Sequence, residues 1–200
     1  MVIDIIDKST IWGYDFEVFS AIPGGGWFCV TFINYEDRKN KIVIINDRVK
    51  LTEFYNNYKD IFISYNGRQY DTGIFKGILD GMNVGYVNDK LIKEGKKPFQ
   101  VVRNAKKYLL NDYDTILKDK SLKQLEAFMG DDIRETEVDF NIDRELTDGE
   151  IEQTLYYNEH DVIEVLRVLD YCWDDFEGQL DIIELYGLDM SYFTKTKVQL

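Results

Sequence analysis

Ile11-Trp12-Gly13-Tyr14-Asp15-Phe16-Glu17-Val18-Phe19 reads as one β-strand carrying two carboxylates. Successive side chains of a strand alternate faces, so Asp15 and Glu17 point the same way. Two acids side by side in a run otherwise rich in apolar and aromatic residues repel each other and lose hydration. A divalent cation between them relieves both penalties. A solvated strand face is the competing reading, and the remaining sequence decides by supplying further ligands or failing to.

Outward from this strand, Pro23-Gly24-Gly25-Gly26 is a turn. Trp27-Phe28-Cys29-Val30-Thr31-Phe32-Ile33, aromatic and β-branched, is a second strand. A polar turn over 34–40 leads to a third, Lys41-Ile42-Val43-Ile44-Ile45. Three strands with short connections predict an antiparallel meander. Residues 4–9, ahead of it, read as an edge or lead-in segment. Residues 51–58 predict a short helix, and Ile61-Phe62-Ile63-Ser64-Tyr65 a buried strand reached by a crossover. Asn66-Gly67-Arg68-Gln69-Tyr70-Asp71 follows, then a helix with Ile74, Phe75, Ile78 and Leu79 at helical spacing.

Residues 81–110 have weak periodicity and read as an excursion. Ser121 begins a helix with Leu122, Leu125, Phe128 and Met129 on one face and Gly130 as its stop. Thr147-x-x-Glu150 is a capping box that starts a helix. A second helical run, 158–173, carries Val162, Val165, Leu166 and Leu169. This order predicts an α/β fold, a mixed sheet of three antiparallel strands then parallel strands, covered by helices. An RNase H-like sheet has this order, as do other mixed folds.

Composition narrows the function classes. A chain that is 44% hydrophobic and 14% aromatic is not disordered in general. No apolar run reaches the length of a membrane span, and the N-terminus lacks a signal-peptide pattern, so no membrane partner is expected. Cys29 and Cys172 suit a reduced, intracellular protein without a disulfide framework or zinc-type spacing. A net charge of −13 argues against non-specific coating of nucleic acid. The charge is uneven: residues 90–107 hold seven bases against Glu94 alone, whereas 131–184 hold nineteen acids against three arginines. The basic segment reads either as a grip for a short anionic polymer or as a solvated loop.

Further ligands are available. Asp71 lies just past the end of the predicted buried strand, where sites gather in open α/β sheets; capping its own helix is the alternative. Asp161 lies on a helix with Tyr157 four residues before it, so phenol and carboxylate share a face. An ordinary tyrosine on an amphipathic helix is the alternative there.

Tyr14-Asp15-Phe16-Glu17, Tyr65-Asn66-Gly67-Arg68-Gln69-Tyr70-Asp71 and Tyr157-Asn158-Glu159-His160-Asp161 resemble, in order, the three motifs of the proofreading 3′→5′ exonucleases. The third, Tyr-x-x-x-Asp, is similar to the tyrosine subtype of the DEDD superfamily. The histidine subtype would place its histidine at 156, where this chain has Tyr156. His160 is adjacent to Asp161 and points about 100° away from it around a helix, which suits a surface or supporting contact and not a base. Ser121-Leu122-Lys123-Gln124-Leu125-Glu126 through Gly130, then Asp139-Phe140 and Leu146-Thr147, resemble DNA polymerases of phages of Gram-positive bacteria. The likeness runs from about residue 11 to the C-terminus.

The resemblance implies an RNase H-like exonuclease domain over 1–190, with 191–200 leading toward a polymerase region of a longer chain. It implies a phage protein in the bacterial cytoplasm, and single-stranded or frayed DNA 3′ ends as substrate. It implies two Mg²⁺ or Mn²⁺ ions, about 3.5–4 Å apart in such sites. Asp15 would bridge both ions, Glu17 and Asp161 would complete the first site, and Asp71 would hold the second, partly through water. Tyr157 would orient the attacking water. Asn66 is a candidate contact to the terminal nucleotide. Phe16, Tyr65 and Tyr70 either stack on frayed bases or pack in the core. Rival readings are a stand-alone DEDD exonuclease acting on DNA or RNA, and a DNA-holding module with little catalysis.

Overall fold

The structure, a computed structural model, describes residues 7–58, 61–108, 110–114, 120–129, 137–189, 192, 193 and 195. Its five strands are β1 (Ile11–Phe19), β2 (Trp27–Asn34), β3 (Lys41–Ile45), β4 (Ile61–Ser64) and β5 (Asn111–Asp114). They form one sheet in the order β3-β2-β1-β4-β5. The first three pair antiparallel, and β4 and β5 join parallel to β1 and to each other. Helices α1 (Arg48–Asn57), α2 (Asp71–Leu79), α3 (Val84–Ile92), α4 (Pro98–Val101), α5 (Leu122–Met129), α6 (Asp148–Tyr171) and α7 (Trp173–Leu185) flank it. No helix among the described residues is long and apolar enough to cross a membrane, and no disulfide joins Cys29 and Cys172.

The alternation of β1 divides the molecule. Trp12, Tyr14, Phe16 and Val18 point into an aromatic core with Phe32, Phe62 and Phe75, closed by α1, α2 and α3. Ile11 points to the opposite face, where Val162, Val165, Leu166 and Leu169 of α6 pack on Ile33 and Ile63, with Phe176 of α7 beyond them. Phe19 ends that face in a smaller cluster with Trp27, Cys29 and Val138, which Ile151 and Leu155 of α6 cover.

The structure corrects three expectations. The excursion over 81–110 is largely helical: Asn83 caps α3 by accepting the Tyr86 N–H, and Val87 and Leu91 lie against Gly77 and Gly73 of α2. Its short apolar stripe falls below what periodicity detects. The helix from the Thr147 capping box and the run over 158–173 are one helix of 24 residues. Its stripe serves two core clusters in turn, so it looks broken in the sequence. β5 was not foreseen, because Asn111-Asp112-Tyr113-Asp114 is polar. Its ladder to β4 and hydroxyl bonds to Asp112 hold it instead.

Of the expected α5 face, Leu122 is partly buried and Leu125 is buried. The side chains of Phe128 and Met129, Gly130, residues 1–6 and most of 191–200 lie outside the described residues. In the lead-in, Lys8–Thr10 form a 3₁₀ turn.

Gly13 lets α6 settle on β1, since a Cβ there would lie 2.7 Å from Leu166 Cγ. Gly13→Ala is therefore expected to destabilise by about 1–3 kcal/mol through overpacking. Gly178→Ala, in α7 where an added Cβ meets nothing within 4 Å, should stabilise by roughly 0.5–1 kcal/mol. Urea titrations of the two variants check the opposite signs.

Candidate metal centre

The sheet face covered by α6 is apolar at both ends of β1 and polar in the middle, where Asp15 and Glu17 stand partly buried. Across from them α6 carries its own polar interruption. Asn158, fully buried, donates from Nδ2 to the Asp15 carbonyl at 3.0 Å and to Asp15 Oδ2 at 2.9 Å. One turn on, Asp161 completes the group: carboxylate oxygens of Asp15, Glu17 and Asp161 lie within 4.8 Å of one another. Residues from a strand near the N-terminus and a helix near the C-terminus thus converge on one point.

Asp71 is the first residue of α2, and its position answers the capping alternative. α2 has no side-chain cap; the Asp71 carboxylate instead accepts the Phe16 N–H at 3.2 Å across the end of β4. It lies outside the group of three, but its charge reaches both Asp15 and Glu17.

Burial and mutual repulsion set the protonation of this cluster. Desolvation, then the charges of Asp71, Glu17 and Asp161, push Asp15 well above the ordinary carboxylate range. Desolvation, with Asp161 and Asp71, pushes Glu17 up to about 8. Asp71 is also pushed up to about 8, by burial first, with the Phe16 N–H opposing and Asp112 and Asp114 adding. Lys123 of α5 brings a cation to the cluster, with Nζ 2.6 Å from Asp161.

The donor set fits a hard divalent ion: carboxylate oxygens, no thiolate and no imidazole. Two buried oxygens beside it also lack hydrogen-bond partners, Asn158 Oδ1 and Thr31 Oγ1. Thr31 stands directly opposite Asp15 in the β1–β2 ladder.

The other expected residues are distributed more widely. Tyr157 is half-buried on α6, one turn before Asp161, with its ring edge-on to Tyr156. Tyr65 is partly buried and donates to the Lys120 carbonyl at 2.5 Å. Tyr70 donates to Asn88 Oδ1 at 2.7 Å. Asn66 is exposed at φ 58° and gives its N–H to Asp114 at 2.7 Å. For Phe16 the core alternative holds: the ring is 2% exposed, against Phe28 and Phe75, with no face left for a base. His160 lies outside the cluster, its Nε2 buried and without a hydrogen bond.

Sequence reasoning passed over Asn158, Lys123 and Asp112. Asn158 had a signal, a polar residue at an apolar position of the α6 stripe. Asp112 had a fainter one, the Asp-x-Asp spacing that mirrors Asp15-x-Glu17. Buried to 2%, it is reached by the hydroxyls of Thr72, Tyr14 and Ser64, and burial raises it to about 6. Lys123 is brought in by tertiary structure alone.

Comparison with family models, with curated proteins and with solved structures gives no match for this chain.

The raised carboxylates make stability depend on pH. Between their ordinary values near 4 and about 8, Glu17 and Asp71 bind more protons folded than unfolded, so stability falls as pH rises through that window. The protein in EDTA should therefore melt at a lower temperature at pH 8 than at pH 5.5. Adding Mg²⁺ or Mn²⁺ at pH 8 to a hundredfold excess over Kd should contribute about 2.7 kcal/mol, or roughly 5–10 °C. Calorimetry across the pH series reads both effects, and Asp15→Asn should abolish most of the metal response.

Proposed function

We propose that this chain is a divalent-metal-dependent 3′→5′ exonuclease that removes nucleotides from single-stranded or frayed DNA. The observation that carries this reading is the convergence of Asp15, Glu17 and Asp161 within 4.8 Å, with Asp71 at the adjoining strand end. Two further features support it. The sheet order, with three antiparallel strands followed by two parallel ones, is compatible with an RNase H-like arrangement. The same four acids and Tyr157 occupy the three sequence motifs that resemble the tyrosine-type proofreading exonucleases.

Hydrolysis joins a water oxygen to phosphorus and breaks the P–O3′ bond, releasing a nucleoside 5′-monophosphate and leaving a new 3′-hydroxyl. When bound, divalent ions supply positive charge for the phosphate and acidify the attacking water. Asp15, Glu17 and Asp161 would hold them, and Asp71 would join from the second side. Tyr157, on the same helix face as Asp161, is suited to orienting the water through its hydroxyl. Asn158 positions Asp15 through two hydrogen bonds. The resemblance supports a proofreading role beside a polymerase region of a longer chain; the same chemistry would serve DNA or RNA.

The test is digestion of 5′-labelled single-stranded DNA. A ladder shortening from the 3′ end should appear with Mg²⁺ or Mn²⁺ and vanish with EDTA. Asp15→Ala and Asp161→Ala should each lose at least about a hundredfold in rate; wild-type rates in either would refute the assignment. Tyr157→Phe should lower kcat by roughly tenfold to a hundredfold with metal binding unchanged by calorimetry.

A further inference from the structure

Asp112 stands on edge strand β5, 2% exposed and outside the group formed by Asp15, Glu17 and Asp161. Hydroxyls from three other elements turn to it. Tyr14 of β1 donates to Oδ2 at 3.3 Å, Thr72 of α2 donates to the same oxygen, and Ser64 at the end of β4 donates to Oδ1 at 3.4 Å. Each donor is placed by sequence beside the site. Tyr14 precedes Asp15, Thr72 follows Asp71, and Ser64 ends the strand that leads into the Asp71 segment. One buried carboxylate therefore links the strand that carries Asp15 to the helix that carries Asp71. It does so from behind the sheet, because Tyr14 and Asp15 point to opposite faces of β1.

The segment in between needs such a hold. Asp71 opens α2, a helix without a side-chain cap, and its carboxylate accepts the Phe16 N–H at 3.2 Å. Residues 65–70 turn tightly before it. Asn66 has φ 58°, a left-handed conformation uncommon for a residue other than glycine, and a Cβ on Gly67 would lie 1.9 Å from Ser64 Oγ. Asp114, two residues along β5 from Asp112, accepts the Asn66 N–H at 2.7 Å. The two aspartates of β5 thus fasten this segment at its start, through Ser64 and Asn66, and at its end, through Thr72. Removing the Asp112 carboxylate would take a shared acceptor from all three hydroxyls. We propose that Asp112 is a positioning residue, which sets where the Asp71 carboxylate stands relative to Asp15 by holding Tyr14, Ser64 and Thr72 at once. Its effect on a second cation rests on the exonuclease reading; its effect on Asp71 rests on these bonds alone.

Amide hydrogen exchange of the full chain in EDTA reads Asp71 directly, through the Phe16 N–H that it accepts. In Asp112→Ala, and in Thr72→Val, which removes one hydroxyl at nearly constant volume, Phe16 exchange should rise about tenfold relative to the β1–β2 ladder amides. Simple destabilisation would speed both together. Asp112→Asn keeps an acceptor oxygen and a polar partner for Ser64, so its Phe16 ratio should stay within about twofold of wild type. Titration with Mn²⁺, followed by electron paramagnetic resonance, should show two equivalents in wild type. In Asp112→Ala the second should weaken about tenfold to a hundredfold, as when a group that orients a metal ligand is lost, with the first unchanged. Thr72→Val decides alone if the alanine variant does not fold. An unchanged Phe16 ratio in the alanine and valine variants, or an Asp112→Asn ratio equal to that of Asp112→Ala, overturns the positioning role whatever the metal does. A raised ratio in a protein that binds no Mn²⁺ or digests no DNA supports the positioning role and overturns the exonuclease reading alone.

Discussion

The constraint on which the site depends is electrostatic. Three carboxylates lie within 4.8 Å of one another, a fourth stands nearby, and Lys123 pairs with Asp161. At such distances each pair of like charges costs roughly 3–4 kcal/mol at an effective dielectric of about 20. The metal-free protein relieves this by keeping protons on Glu17 and Asp71 up to about pH 8. A divalent ion bound there would have to displace those protons, and would in exchange relieve the repulsion between the carboxylates.

The fold holds them by matching two polar interruptions. Along the α6 face of β1, Ile11 and Phe19 are apolar while Asp15 and Glu17 are not. Along α6, Ile151 and Leu155 pack on one cluster and Val162, Val165 and Leu169 on another, with Asn158 in register between them. Asn158 ties the two breaks together by bonding both the backbone and the carboxylate of Asp15. The close contact of Gly13 with Leu166 then fixes how deep α6 sits, and so how near Asp161 comes to Glu17. Apolar packing on either side thus supports a central segment that contributes no apolar burial of its own.

This division explains what could be read from the residues. Asp15 and Glu17 were legible as neighbours because strand parity is local, and Asp161 was legible as a candidate ligand on a helix. The meander and β4 were legible because they are apolar. Lys123 was not, because its approach to Asp161 depends on how α5 docks on α6. β5 was not, because its two aspartates face other polar groups instead of a core. α6 was read as two pieces because the interruption around Asn158 looks like a break in the helix; it is where α6 meets the acidic cluster. The aromatic residues of the motifs divide, with Phe16 committed to the core and Tyr70 donating to Asn88.

A net charge of −13 makes approach of a polyanion depend on where the positive charge sits. Beyond about 10 Å, screening at physiological ionic strength removes most of the repulsion from the acidic stretch that includes α6 and α7. The decisive field is therefore local to the surface of contact. There the arrangement is asymmetric, because Lys90, Lys93 and Lys96 are partly neutralised by Glu94 and Asp89, while Lys97, Arg103, Lys106 and Lys107 follow in a stretch without an acid. On the proposed reading, this basic stretch would be the part of the surface most favourable to a nucleic-acid backbone. Divalent ions at the acidic cluster would then offset the remaining charge on the phosphate. An overall acidic protein can in this way favour a short, end-on contact with nucleic acid over coating it along its length.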